Sequence, residues 1–304
     1  MSLTHPADLL ALPSPPSPTH IVLFIPGNPG LPSYYTPFLT TLSAQIPTAA
    51  IFALGHLGHS PAHAPIAFTS RDSASLTEQV EHKVEFVEEL VRRYGCGKPG
   101  KPKLVLIGHS IGSWICLQVH KARSASISSL SLLFPTVSHM ATTPNGLRLS
   151  PLFTPTILPP LALTTLFLSF VPSPIINPLI AFLSRQSGPG ALVTSGLVTS
   201  PGTVLAALSM AKEEMDEIID LDRNLVQGAA KKSWWYWAEG KGDGWVSESS
   251  VQEIGDCLDE VGADKERRFL CEEGMKHAFV LNDEHTKSLA KKCAGWILKD
   301  CPMP

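Results

Sequence analysis

Between residues 103 and 120 the chain has few conformational options. Residues 103–107 (Lys-Leu-Val-Leu-Ile) form an apolar run with branched side chains, and they lead without a spacer into Gly108, His109, Ser110, Ile111 and Gly112. Ser113-Trp-Ile-Cys-Leu-Gln-Val-His120 follows and reads as a helix start. A chain that passes from strand to helix so abruptly must bend sharply, and glycines on both sides of Ser110 relieve the crowding of that bend. The serine is then left at the tip of the turn, at the end of a strand.

Three further short apolar runs, 20–25, 50–54 and 127–134, read as buried strands. Pro26-Gly27 stops the first. Between the second run and residue 103 lies a helical stretch, 76–94, with Val80, Val84, Val87 and Val91 spaced three or four apart. Trp234-Trp-Tyr-Trp237 reads as an aromatic strand, 249–261 as a helix, 268–271 as a strand and 286–298 as a last helix. Strands apolar on both faces, alternating with helices, define an α/β fold with a doubly wound, mostly parallel sheet. At 304 residues the chain is long enough for one large core.

Composition narrows the function. A hydrophobic share of 44% excludes a disordered chain. Charged residues make up 17%, below the usual share of about 25%, so part of the surface must be unusually apolar. The net charge of −3 offers no basic field for nucleic acid, which is excluded as a partner. Six scattered cysteines with no C-x-x-C pair read as reduced thiols, and the opening residues, with Asp8, five prolines and no basic region, are unlike a signal peptide. A cytosol-facing protein is expected. Residues 1–18 form a Pro-rich leader poorly suited to regular structure.

Residues 124–211 carry only two charges, Arg148 and Arg185, and 149–184 carry none but hold seven prolines. The longest proline-free stretch there, 161–171, is too short for the roughly 20 apolar residues that a membrane span needs. We therefore divide the chain into the leader (1–18), a core (19–135 and 206–304) and an apolar helical insert (136–205). The insert is either a cap over the active site or a surface that dips into one lipid leaflet, and the two are compatible.

A serine nucleophile needs a base, a group that orients the base, and donors for the oxyanion. In the α/β-hydrolase fold the acid and then the histidine follow the serine, on loops after later strands. Asp243, in the turn after the aromatic strand, is the expected acid, with Glu239 as an alternative nearer the strand; Asp256 and Asp259 fall on a helical pattern. His277 and His285 are the histidines after Asp243; His277 follows a strand, whereas His285 sits at a helix start. Ser110, Asp243 and His277 are thus the expected triad. The backbone N–H groups of Ile111 and Asn28 are the expected oxyanion donors, since Pro29 has no N–H to offer. His56, His59 and His63 cluster after the second strand, but no carboxylate or cysteine at ligand spacing joins them, and they read as a loop at the site entrance. No metal or organic cofactor is expected. His109 is read as a support of the turn, not as the base.

Pro26-Gly27-Asn28-Pro29-Gly30 with Tyr34-Tyr35, Gly108-His109-Ser110-Ile111-Gly112, Gly242-Asp243-Gly244-Trp245-Val246 and His277-Ala278-Phe279 together resemble the lipid droplet-associated hydrolases. The resemblance spans roughly 20–300, by motif outside 136–205 and by composition within it. It implies an esterase-like enzyme of lipid droplets and the endoplasmic reticulum, acting on sterol esters or acylglycerols, with the middle segment as anchor. The short Pro-rich leader departs from that pattern, so the first antiparallel strands of the usual fold are expected to be missing or reduced here. A droplet-binding scaffold with a vestigial site, and a soluble esterase or thioesterase with an ordinary cap, are the rival readings. Ser110 disfavours epoxide hydrolases and dehalogenases, which place Asp at that position.

Overall fold

The computed structural model describes residues 7–62, 74–154, 156–186, 188–239, 243–271 and 274–303. Among them seven strands form one sheet: β1 (Leu9–Ala11), β2 (His20–Ile25), β3 (Ala49–Leu54), β4 (Lys103–His109), β5 (Ile127–Leu133), β6 (Ser233–Ala238) and β7 (Arg268–Cys271). Their order is β1-β3-β2-β4-β5-β6-β7, parallel throughout except for β1. The sheet has helices on both faces, so every residue of β2 is buried. Alternate side chains divide between two cores: Ile21, Leu23 and Ile25 enter one, Val22 and Phe24 the other.

The helices around the sheet are α1 (Thr36–Gln45), α2 (Leu76–Tyr94) and α3 (Ile111–Arg123), then α4 (Pro144–Leu149), α5 (Leu158–Ser169), α6 (Ser173–Ser184), α7 (Gly188–Val198) and α8 (Pro201–Glu217), and finally α9 (Arg223–Ala229), α10 (Glu248–Asp259) and α11 (Asp283–Asp300). Residues of α2, α3, α9 and α10 fill the first core and those of α1 and α11 the second. α2 occupies the residues its valine spacing predicts. Ser75 and Glu78 close a capping box at its start, and Gly95 ends it at φ 74°, in the left-handed region that glycine enters without strain.

Two expectations are corrected. The leader is not wholly irregular: Leu9–Ala11 pairs antiparallel with β3, and the Leu12 N–H extends the ladder to Ile51. One short antiparallel strand therefore remains at this edge. The expected boundary at 205/206 falls inside α8, which packs on α5 and α7 and runs on to Glu217. Charge returns within this helix because its last turns leave the apolar insert and reach the core, where the Glu213 carboxylate accepts the Leu76 N–H at the head of α2.

Helices α4 to α8 all lie between β5 and β6. Among the described residues no single helix is long and apolar enough to cross a membrane, and α7 and α8, which together pass that test, are bent 91° apart. Large apolar side chains of the insert face outward nonetheless: Phe167 is 65%, Phe170 76% and Phe182 81% exposed.

Candidate active site

Ser110 stands between β4 and α3 with φ 54° and ψ −126°, a conformation costly for any residue with a Cβ. Packing holds it there. The Ser110 N–H donates to the Leu133 carbonyl at 2.9 Å, tying the bend to β5. A Cβ on Gly108 would lie 2.4 Å from the Gly112 oxygen, so the two arms of the bend touch backbone to backbone.

The chain folds so that the loops after β4, β6 and β7 meet at the carboxyl edge of the sheet, where ligands bind in open α/β folds. Ser110 Oγ lies 2.8 Å from His277 Nε2, and His277 Nδ1 lies 2.8 Å from Asp243 Oδ2. A carboxylate only accepts, so Nδ1 carries the ring proton and Nε2 is free to accept the serine O–H. The other Asp243 oxygen accepts the N–H groups of Trp245 (2.8 Å) and Val246 (3.2 Å), which fix its orientation. The Asp243 side chain is 4% exposed and that of His277 15%. Hydroxyl, imidazole and carboxylate in this order can act as nucleophile, base and orienting group. Gly240, Lys241 and Gly242 of the turn before Asp243 lie outside the described residues.

The rival residues are elsewhere. Glu239 is exposed at the end of β6. Asp259 pairs with Arg268 on α10, Asp256 accepts from Gln252 on the same helix, and His285 lies in the first turn of α11, where Asn282 caps its N–H.

Asn28 follows β2 and lines, with Ser110, His277 and Glu214, a cavity of about 310 Å³. Its other walls include Met140, Leu149, Phe153, Leu197, Leu208 and Trp245. The loop lies so close to the bend that a Cβ on Gly27 would come within 2.8 Å of Ser110 Cβ. Ile111, fully buried, opens α3, where backbone N–H groups lack helical acceptors. The Asn28 side-chain amide turns to α8, donating to the Ala207 carbonyl (2.8 Å) and to Glu214 Oε1 (3.0 Å).

Three features were not legible beforehand. The first is a relay behind the bend. The Gly27 N–H donates to the Tyr35 hydroxyl (3.1 Å), which donates to His109 Nδ1 (2.7 Å), and His109 Nε2–H donates to the His277 carbonyl (2.9 Å). Because a carbonyl can only accept, this tautomer is the one that satisfies every partner. Burial, helped by nearby His277, holds the His109 pKa well below its usual value, so the ring stays neutral. The relay couples three segments of the site. In Tyr35→Phe the Gly27 N–H and His109 Nδ1 lose this partner in the interior, and unfolding in denaturant is expected to show a loss of about 2–4 kcal/mol.

The second is the position of His56 and His59. They do not line an entrance but lie buried behind the Asn28 loop, where His59 Nδ1–H donates to the Pro29 carbonyl at 2.8 Å. Burial lowers both pKa values, that of His59 to about 4. Lys83 is buried alongside, donating to the Gly55 carbonyl and to Gln79. His63 lies outside the described residues. The third is Glu214, one of several carboxylates in the last turns of α8. It is 3% exposed, and burial raises its pKa to about 8, so at neutral pH it is an acid and not a carboxylate.

Sheet order, strand–bend–helix and the loops that converge on Ser110 define an α/β-hydrolase fold, and solved structures agree. A bacterial membrane phospholipase A superposes with a TM-score of 0.65 at 15% identity, covering 98% of this chain and 84% of that one. An enol-lactonase from Burkholderia xenovorans LB400 gives 0.59 at 14% identity, covering 96% of each chain. The family model for lipid-droplet associated hydrolases matches residues 18–280, and the chain belongs to that family. The lipid droplet-associated hydrolase of Gallus gallus is 31% identical over 93% of this chain and 86% of its own length. That of Drosophila melanogaster is 30% identical over 89% and 86%.

Proposed function

We propose that the protein is a serine ester hydrolase that forms an acyl-enzyme at Ser110 and works on lipid esters at the surface of lipid droplets and the cytosol-facing endoplasmic reticulum. The observation that carries this reading is the unbroken chain from Ser110 through His277 to Asp243, opening on a largely apolar cavity. His277 Nε2 takes the hydroxyl proton as Oγ attacks the ester carbonyl, and Asp243 stabilises the imidazolium. The carbonyl oxygen, now anionic, is met by the backbone N–H groups of Ile111 and Asn28, each worth on the order of 100–1000-fold in rate. His277 then protonates the departing alcohol, and water releases the acid by the same steps in reverse. Every proton transfer is covered by these side chains, so the chemistry calls for no cofactor. A fluorophosphonate probe should label the wild type and spare Ser110→Ala, and a panel of lipid esters should be cleaved by the first alone. Equal labelling, or cleavage by both, would sink the assignment.

For the insert, the outward aromatic side chains support a role as the lipid-contacting surface as well as a cap. Withdrawing one phenylalanine from water is worth about 1.5–3 kcal/mol. Phe167→Ser/Phe170→Ser/Phe182→Ser should therefore lower flotation with artificial phospholipid-coated triolein droplets at least tenfold, while cleavage of a water-soluble ester persists. Unchanged flotation would leave the insert as a cap alone.

A further inference from the structure

Glu214 is not used in the chemistry above, and its place demands a reason. A carboxyl group buried among Leu208, Ala211 and Trp245 costs more than a leucine would, unless something uses it. Its Oε1 accepts one Asn28 N–H, while Oε2 makes no hydrogen bond among the described residues. Two side-chain donors near it are committed. Asn28 spends both side-chain N–H groups on α8, and the Ser110 hydroxyl is given to His277. Burial favours the protonated form of Glu214, and with Oε1 accepting from Asn28, Oε2 is the oxygen left to hydrogen-bond in the cavity that Ser110 also lines.

We propose that Glu214 is the specificity-determining residue of this cavity: its free oxygen hydrogen-bonds an oxygen on the alcohol portion of the ester, so that polyol esters, partial glycerides above all, are preferred. A sterol ester has no oxygen beyond the two of the scissile group, and those belong to the oxyanion donors and to His277. A monoacylglycerol carries hydroxyls one and two carbons away from its ester oxygen. With such a substrate bound, the Oε2 proton gains an acceptor. With a sterol ester it stays unpaired against hydrocarbon. Sites that hydrogen-bond a substrate hydroxyl reject analogues lacking it far more strongly than apolar walls reject a missing methylene. This inference rests on the ester-hydrolase reading and deepens it.

The test compares three oleate esters with a common acyl group: 1-monooleoylglycerol, ethyl oleate and cholesteryl oleate. In the wild type kcat/KM for the glyceride should exceed that for ethyl oleate at least about tenfold, with cholesteryl oleate no better than ethyl oleate. Glu214→Leu should bring the glyceride-to-ethyl ratio to within about threefold of unity. Glu214→Gln, which keeps both an acceptor for Asn28 and a donor, should retain the preference. Glu214→Met replaces Glu214→Leu if the latter does not fold. Because the readout is a ratio, a shift of the Asn28 loop that slows all esters equally leaves it unmoved. An unchanged ratio in Glu214→Leu, or a wild type that favours cholesteryl oleate, overturns the proposal. The same ratio is then read as binding of monooleoylglycerol and ethyl oleate to Ser110→Ala, with and without Glu214→Leu. That arm judges Glu214 even if Ser110 proves not to be the nucleophile, so the two readings fail separately.

Discussion

Asp243→Asn changes one atom and should cost about four orders of magnitude in kcat, as the same change does in the chymotrypsin triad. The structure says how. Asp243 Oδ1 is held by the N–H groups of Trp245 and Val246, and only an acceptor can sit opposite them. In the asparagine variant the amide oxygen must therefore take the Oδ1 position, which points the NH₂ group at His277 Nδ1. Nδ1 is forced to accept, the ring proton moves to Nε2, and the atom facing Ser110 can no longer receive its proton. The variant should fold normally, with an unfolding midpoint close to that of the wild type, and still bind lipid ester. Single-turnover kinetics on a p-nitrophenyl ester checks it. A rate within tenfold of wild type would show that Asp243 does not set the tautomer. Ser110→Ala should lose more, about six orders of magnitude, and Ser110→Ala/His277→Ala little beyond that, since residues that act as one unit are not additive.

The parts of this arrangement differed in how far they could be read from sequence. β2 and α2 fall where an apolar run and valine spacing put them, because burial on both faces of a parallel sheet leaves a continuous apolar signal and a helix packed on it leaves a periodic one. Ser110, Asp243 and His277 could be singled out because each follows a strand at the edge where such loops gather. By contrast, α1 left little trace. Phe38, Leu39 and Leu42 are its buried residues, and they are separated by threonines behind Pro37 with no capping signal. What holds this helix is packing against α11, a partner more than 200 residues later. β1 is equally silent, since three residues in a proline-rich leader form a strand only because β3 offers a free edge.

Polar burial was the least legible property of all. Three histidines close together suggest a metal or an entrance, yet His56 and His59 are interior props of a loop. Glu214 stands next to Glu213 in a run of acidic residues, and nothing local distinguishes the carboxyl that caps α2 from the one that faces the cavity. Tyr35, His109 and His277 become one relay only when three strand ends converge. Such features depend on distance in space, and single-residue chemistry carries no record of it.

Gly112→Ala sets helix propensity directly against sterics, and sterics should win by a wide margin. Gly112 lies in the first turn of α3, where alanine would ordinarily gain up to about 1 kcal/mol. Here the added Cβ would lie 2.2 Å from the Ile25 oxygen and 2.6 Å from the Pro26 oxygen, both backbone atoms at the end of β2. Neither can rotate away, so the first turn of α3 must lift off the sheet. Overpacking of this kind costs about 1–3 kcal/mol or more. The displaced turn also carries Ser110 and Ile111, and the end of β2 that it presses on leads to Asn28. A shift near 1 Å in reacting groups can cost about 100-fold in rate, so activity should fall by at least that factor in whatever fraction stays folded. Gly295→Ala is the control, an exposed position within α11 where a Cβ meets nothing within 4 Å. It should raise stability by about 0.5–1 kcal/mol and leave kcat unchanged. Denaturant unfolding and kcat on both variants decide the matter: a Gly112→Ala protein as stable and as active as Gly295→Ala would mean that the bend at Ser110 does not rest on the end of β2.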